Sequence, residues 1–325
     1  MLLIADRPTA AEGLIDAAHL RRTEVEALPR EIGAIWRRLS AARTAWIGEV
    51  ERAGTSDPGP RHLLAVEHAD SSQFTALQAA LRDEVPVASD LATIALSGSG
   101  FRGQRGREWQ ALRGNLHLCL LARLGLSVAG VQPALTALPA VAAVRAVARA
   151  TNDATRLRLK WVNDLMLAGR KVGGVLSATH LTGPLVSYLL VGIGINLART
   201  PELARHPSAP PAGSLADGAV APDHAALTLA LLAELDAAVA QLRAGGGDEL
   251  VAAYRRYSTV VGRHVAIWPV ADDPTPRAPL VTGHVVALRP DLAIELEGHS
   301  EPLYGGRLTF VDDRDDVGQG TCEDG

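Results

Sequence analysis

Lys160-Trp-Val-Asn-Asp164-Leu-Met-Leu-Ala-Gly-Arg-Lys171-Val-Gly-Gly-Val-Leu176 is the stretch on which the fold turns. Lysine and arginine together number 32 in the chain, yet the only two lysines, Lys160 and Lys171, both fall here. A compact ammonium held at a fixed point suits a phosphate or a reacting carboxylate, whereas arginine brings a wide planar fork of donors. Leu157 to Trp161 and Leu165 to Leu167 read as two short strands, joined by Val-Asn-Asp and followed by a Gly-bearing turn. Lys160 is therefore expected on a strand, which is a rigid mount. The alternative is a basic strand edge with ordinary turn residues.

Working outward, Ser97-Gly-Ser-Gly-Phe-Arg-Gly-Gln-Arg-Gly-Arg107 follows an expected strand over Ala92 to Leu96 and holds four glycines and three arginines. Such a loop can bring backbone amides and guanidinium forks to an anion, and it can also be a solvated surface loop. Trp109 just after it favours phosphate plus base. Before it, Leu63 to Glu67 reads as a strand running into Asp70-Ser-Ser-Gln73, whose side-chain oxygens can cap a helix over Phe74 to Leu81. The same groups stand at a strand's end, where a ligand could use them. On the other side, Leu185 to Val191 reads as a buried strand delivering Gly192-Ile-Gly-Ile-Asn196. Glycines at alternate strand positions mark either close approach of a ligand or backbone, or a bulge.

Asn115 to Leu124 is an apolar strand, and Leu135, Leu138, Val141, Val144 and Val147 share one side of a helix in which Pro139 is expected near the first turn. Ala198 to Pro222 reads as a surface excursion, followed by helices over Ala225 to Leu242 and Asp248 to Tyr257. From Gly262 the pattern becomes short strands, His264 to Val270, Leu280 to Leu288, Leu292 to Glu297 and Leu308 to Val311, enough for a small β-barrel-like module. Residues 1 to 60 read as a helical appendage, with apolar residues at helical spacing from Leu14 to Leu20 and from Ile32 to Leu39, closed by a linker at Gly54 to Pro60. It shows no clear winged-helix pattern, so oligomerisation or docking, with a homodimer open, is expected rather than DNA binding. Residues 313 to 325 read as a disordered acidic tail.

The totals fit this division. A length of 325 residues suggests more than one domain, and 47% hydrophobic with 21% charged residues is ordinary globular composition. A net charge of −4 argues against a dedicated nucleic-acid binder. Two cysteines, Cys119 and Cys322, make no disulfide framework. The N-terminus reaches Asp6 and Arg7 too soon for a signal-peptide core, no long unbroken apolar run suggests a membrane span, and a cytoplasmic location is the expectation.

These segments resemble the biotin protein ligase branch of the biotin and lipoate ligase family. The resemblance rests on Phe101-Arg-Gly-Gln-Arg-Gly-Arg-Glu-Trp109, Gly114-Asn-Leu116, Lys160-Trp-Val-Asn-Asp164 with Gly169-Arg-Lys-Val-Gly-Gly174, and Gly192-Ile-Gly-Ile-Asn196, in the family's order. It implies an α+β fold: a mixed-sheet catalytic domain over residues 61 to 258, then a small SH3-like domain over 259 to 312. It further implies ATP-dependent activation of biotin to biotinyl-AMP, with Mg2+ accompanying ATP, and transfer to a lysine of a biotin carboxyl carrier domain. Lys160 would contact carboxyl and phosphate, Arg102 and Arg107 would belong to a loop closing over the adenylate together with Gly103 and Gln104, and Asp153 would assist the acceptor amine. Ser71, Ser72, Gln73, Gly98, Gly173, Gly174, Gly192 and Gly194 would fall on the biotin side. Trp109, Asn115, Asn163, Lys171 and Asn196 would fall on the ATP side, with Asp153 or Asp164 as the metal ligand.

Four departures bear on the acid. Phe101 replaces the loop's first glycine, Gln104 its second arginine, Gly98 stands where a ring-binding glutamine is usual, and Ser71-Ser72-Gln73 replaces Ser-Thr-Asn. Lipoate, octanoate or another acid therefore remains an alternative substrate, and an adenylate-binding regulator without transfer activity an alternative class.

Overall fold

The computed structural model describes residues 1–51, 62–151, 153, 157–202, 209–218, 221–269 and 278–311. The expected linker at 54–60 and the acidic tail at 313–325 lie outside them.

The chain runs β1 (Leu2–Ala5), β2 (Arg21–Glu24), α1 (Arg30–Leu39), β3 (Thr44–Glu49), β4 (His62–Val66), α2 (Gln73–Arg82), β5 (Leu91–Ala95), β6 (Leu116–Ser127) and α3 (Gln132–Thr151). It continues with β7 (Arg158–Lys160), β8 (Asp164–Leu167), β9 (Arg170–Thr182), β10 (Leu185–Ile195), α4 (His224–Arg243) and α5 (Gly247–Tyr257). The last elements are β11 (His264–Trp268), β12 (Val281–Leu288), β13 (Ile294–Leu296) and β14 (Arg307–Phe310).

Ten strands form one mixed sheet in the order β2-β3-β1-β4-β5-β6-β10-β9-β8-β7. Side chains alternate across it, as the two-residue period of a strand requires. On β6, Leu116, Leu118, Leu120 and Ala122 enter the core built with α3 and α4, while Cys119 and Leu121 enter the core built with α1 and α2. The five apolar positions expected on α3, Leu135 to Val147, are all buried. By length and composition α3 and α4 could cross a membrane, but 67% and 61% of those stretches are buried inside the molecule, as core helices are.

The C-terminal strands form an antiparallel sheet of four, ordered β13-β12-β11-β14. Val265, Ile267, Leu296 and Leu308 join the same apolar cluster as α3 and α4, and the Trp161 indole N–H donates to Leu292 O at 2.8 Å, so the small sheet is tied directly to the decisive hairpin.

Two expectations are corrected. The first fifty residues are no helical appendage: only α1 is an α-helix, and β1, β2 and β3 extend the main sheet, with β1 parallel to β4 and antiparallel to β3. Positive φ at Gly13 and a capped 3-10 turn at Asp16 stop a helix over Leu14 to Leu20. That segment instead lies over β3, where a Cβ on Gly48 would stand 2.5 Å from Ile15 Cδ1. Pro139 lies beyond the first turn of α3, because the helix already begins at Gln132.

Candidate active site

The decisive stretch is a strand hairpin whose register gathers three charges. Lys160 pairs directly with Asp164 across β7 and β8. Ala168 and Gly169, both at positive φ, make the two-residue turn into β9, a conformation that favours glycine. A register shift between Leu165 and Met166 then sets Lys171 opposite Met166, which shares Asp164's face. Lys160 Nζ consequently sits 3.1 Å from Asp164 Oδ2, and Lys171 Nζ 2.5 Å from Oδ1.

Lys160 is 3% exposed and Asp164 7% exposed. Burial alone would raise the Asp164 carboxyl, but the ammonium groups of Lys171 and Lys160 outweigh it and hold the carboxyl well below the usual range. Burial lowers the pKa of Lys160 against the pull of Asp164. One carboxylate thus carries two ammonium groups and leaves the cluster with an excess positive charge that an incoming anion would neutralise.

This cluster lies on the wall of a cavity of about 740 Å³, a size suited to a small ligand. Above it runs the Arg-Gly loop, where Arg102 Nη1 donates to Gly106 O at 3.3 Å and Arg107 Nε to Gln104 O at 3.3 Å. Arg102, Gly103, Gln104 and Arg107 all line the cavity. Arg105 reaches the small sheet, its Nη1 donating to Gly306 O at 3.4 Å. Arg307 of β14 lines the cavity as well, its pKa lowered by burial and by the nearby charges of Arg107 and Arg105. Sequence reading missed Arg307, which opens an ordinary strand about 150 residues beyond the lysine segment; only the packing of the small sheet brings it in.

The remaining wall is apolar and aromatic. Gly192 and Gly194 line it beneath two rings: a Cβ at Gly192 would stand 2.9 Å from Phe74 Cδ2, and one at Gly194 2.6 Å from Trp109 Cζ2. The register is continuous there, the β10 irregularity lying back at Val186 and Tyr188, so close approach rather than a bulge accounts for these glycines. Trp109 Nε1 and Asn196 Oδ1 are buried without a hydrogen-bond partner, while Asn196 Nδ2 donates to Gly213 O at 2.9 Å. Asn163 and Gly174 also line the cavity, with Asn163 Nδ2 donating to Val175 O at 2.9 Å.

The Ser-Ser-Gln segment divides its roles. Ser72 lines the cavity and also caps α2, its Oγ accepting from Phe74 N at 3.2 Å. Gln73 lines it too, but its amide donates to His117 O at 3.1 Å. Ser71 is exposed and outside the lining.

Four further expectations fall outside the lining. Asn115 is a backbone clamp: its Oδ1 accepts from Leu197, Ala198 and Arg199 N, and its Nδ2 donates to Arg199 O at 2.8 Å. Gly173 packs on β10, where a Cβ would stand 2.7 Å from Gly194 O. Gly98 lies under Phe101, whose ring occupies the space a side chain at position 98 would need. Asp153 follows the end of α3, its N–H donating to Ala148 O. Asp164 meanwhile has both oxygens engaged by ammonium groups. Among the described residues no group of three or more His, Cys, Asp or Glu side chains could hold a metal. Asp164, held by two ammonium groups, and Asp153, outside the cavity lining, therefore do not make a protein-built Mg2+ site.

A mixed sheet whose lysine pair, one member buried and one partly exposed, joins an arginine loop and an aromatic wall around a cavity offers a shape and charge that suit an amphipathic anion. The class becomes specific on comparison: residues 71–196 match the model of the Biotin/lipoate A/B protein ligase family. The fold is that of biotin protein ligases: it resembles the enzyme of Aquifex aeolicus, solved in complex with biotin and ATP, with a TM-score of 0.57 and 20% identity over 77% of this chain and 98% of that one. In sequence, the chain is 42% identical over 112 residues to the biotin–[acetyl-CoA-carboxylase] ligase of Paracoccus denitrificans, covering 34% of this chain and 46% of that one. It is 33% identical over 185 residues to the ligase of the same name from Mycobacterium tuberculosis, covering 54% and 63%. The matches thus span about half to just under two thirds of these relatives.

Proposed function

We propose that the protein activates biotin with ATP and passes the biotinyl group to a lysine of a biotin carboxyl carrier domain. The observation that carries this reading is the cluster of buried Lys160 and Asp164 with partly exposed Lys171, set between the arginine loop and the aromatic wall. A carboxylate oxygen attacks the α-phosphorus, and pyrophosphate leaves with the bonding pair of the bridging oxygen. Two anions must meet for this, so a fixed excess of positive charge lowers the barrier by neutralisation and alignment. Lys160 stands nearest the reacting atoms, Lys171 and Arg107 serve the phosphates with MgATP as the substrate complex, and Trp109 with Asn196 takes the adenine. The acceptor amine then attacks the acyl carbon, AMP departs, and a proton is lost from nitrogen. Asp153, outside the cavity lining, is not well placed to take it. The reading carries a cytoplasmic location with it.

Biotin-dependent exchange of labelled pyrophosphate into ATP tests this; folded protein with no exchange overturns it. Phe101 over Gly98 supports a second reading, adenylation of another acid such as lipoate or octanoate, which the same assay with those acids separates. Adenylate binding without labelling of a carrier domain would instead mark a regulator.

A further inference from the structure

The cavity wall holds a buried imidazole that the mechanism does not use. His117 of β6 is 3% exposed and borders the cavity between Gln73 and Phe101. Its Nδ1 lies 3.2 Å from Ala95 O, and a carbonyl can only accept, so Nδ1 carries the proton and Nε2 is a bare acceptor. The Phe101 ring holds the imidazole edge-on at a centroid distance of 5.7 Å, which fixes its orientation. Nε2 is buried and has no hydrogen-bond partner. Unpartnered buried polar atoms are uncommon, and one on a side chain that lines a ligand cavity is a candidate to take a donor from the ligand. Burial also keeps the ring neutral, lowering its pKa to about 4, so the lone pair is present across the physiological range.

We propose that His117 is a specificity-determining residue whose Nε2 accepts a hydrogen bond from a ring N–H of the bound acid, so that the cavity favours a cyclic urea over an acid with a hydrocarbon or dithiolane end. This rests on the acid-activating reading above. Octanoate and lipoate carry no N–H at that end and would leave Nε2 unsatisfied; the ureido ring of biotin carries two. Ser72, whose hydroxyl hydrogen remains available, can donate to the urea oxygen from the same wall.

The test uses the full chain with His117→Phe and His117→Gln, isothermal titration with biotin, octanoate and ATP, and pyrophosphate exchange. Expected for His117→Phe is about 10- to 100-fold weaker biotin binding, roughly 1.4 to 2.8 kcal/mol, with octanoate and ATP unchanged. The loss should appear in KM for biotin rather than in kcat, and His117→Gln, which restores an acceptor, should recover part of it. Unchanged biotin binding by a folded His117→Phe protein overturns the proposal, as does equal loss of biotin and octanoate, which marks packing alone. If the wild type shows no exchange with biotin, the acid-activating reading fails separately. His117 is then judged by its 15N resonance on titration with 2-imidazolidone: a shift at Nε2 upholds the acceptor role, and no shift overturns it.

Discussion

Lys160 and Asp164 face each other across a three-residue connection, Nζ to Oδ2 at 3.1 Å, both buried and with Lys171 closing on the other carboxylate oxygen. Removing one partner of such a pair leaves an uncompensated buried charge, which costs about 3–5 kcal/mol. Asp164→Asn is therefore expected to lower stability by that order in urea denaturation, with pyrophosphate exchange falling in the surviving folded fraction. Lys160→Arg keeps the charge but not its compact shape. It should preserve the fold while reducing exchange at least roughly 100-fold, the scale of losing one stabilising donor. Near-normal exchange by Lys160→Arg would count against the activating role.

Gly194 lies under Trp109, and a methyl group there would stand 2.6 Å from the indole. Gly194→Ala should tilt that ring and weaken ATP about 10-fold in titration, with a smaller effect on the acid. Equal weakening of both ligands would show a general collapse of the wall.

Phe101 and Gly98 are coupled, since the ring stands 2.2 Å from where a Cβ at position 98 would be, with the Ala69 carbonyl oxygen at 2.8 Å on the same atom. Gly98→Gln alone should overpack and destabilise by about 1–3 kcal/mol. Adding Phe101→Gly should restore the part of that loss due to the ring, while the Ala69 carbonyl oxygen, 2.8 Å from a Cβ at position 98, keeps the rest; a double-mutant cycle measures that coupling directly. Additive effects would separate the two positions.

His117 ties stability to acidity. Burial lowers its pKa from 6.5 in the unfolded chain to about 4 in the fold. Between those values the unfolded chain binds a proton that the folded protein does not, so stability falls as pH drops from about 6.5 to about 4 and rises in the reverse direction. Integrated over that window the effect is roughly 3 kcal/mol. His117→Phe should remove that share of the slope in denaturation series taken at stepped pH. An unchanged slope would place the acid sensitivity elsewhere.

Much of this was legible in the residues. The lysine hairpin, the Arg-Gly loop, Trp109 and Asn196 reached one cavity because their order along the chain follows adjacent strands. The central helix α3 and both C-terminal helices were plain from periodicity. Asn115 was misread because an amide beside a glycine looks the same whether it meets a ligand or ties down Leu197 to Arg199. Arg307 and His117 were missed because each has its meaning only through long-range packing, one through the small sheet and one through Ala95 and Phe101. The first strands were misread because Leu2–Ala5 is a four-residue apolar run, too short for periodicity to classify.

That N-terminal strand has a consequence for anyone trimming the protein. β1 sits between β3 and β4, in register from Leu2 against His62 to Ala5 against Ala65. A chain shortened to begin at His62 would turn β4, four of whose five residues are buried, into an open rim of unpaired amides and carbonyls. Its expected fate is self-association through that rim rather than a smaller folded domain, so the first fifty residues serve as the selvedge that keeps the sheet from unravelling into its neighbours.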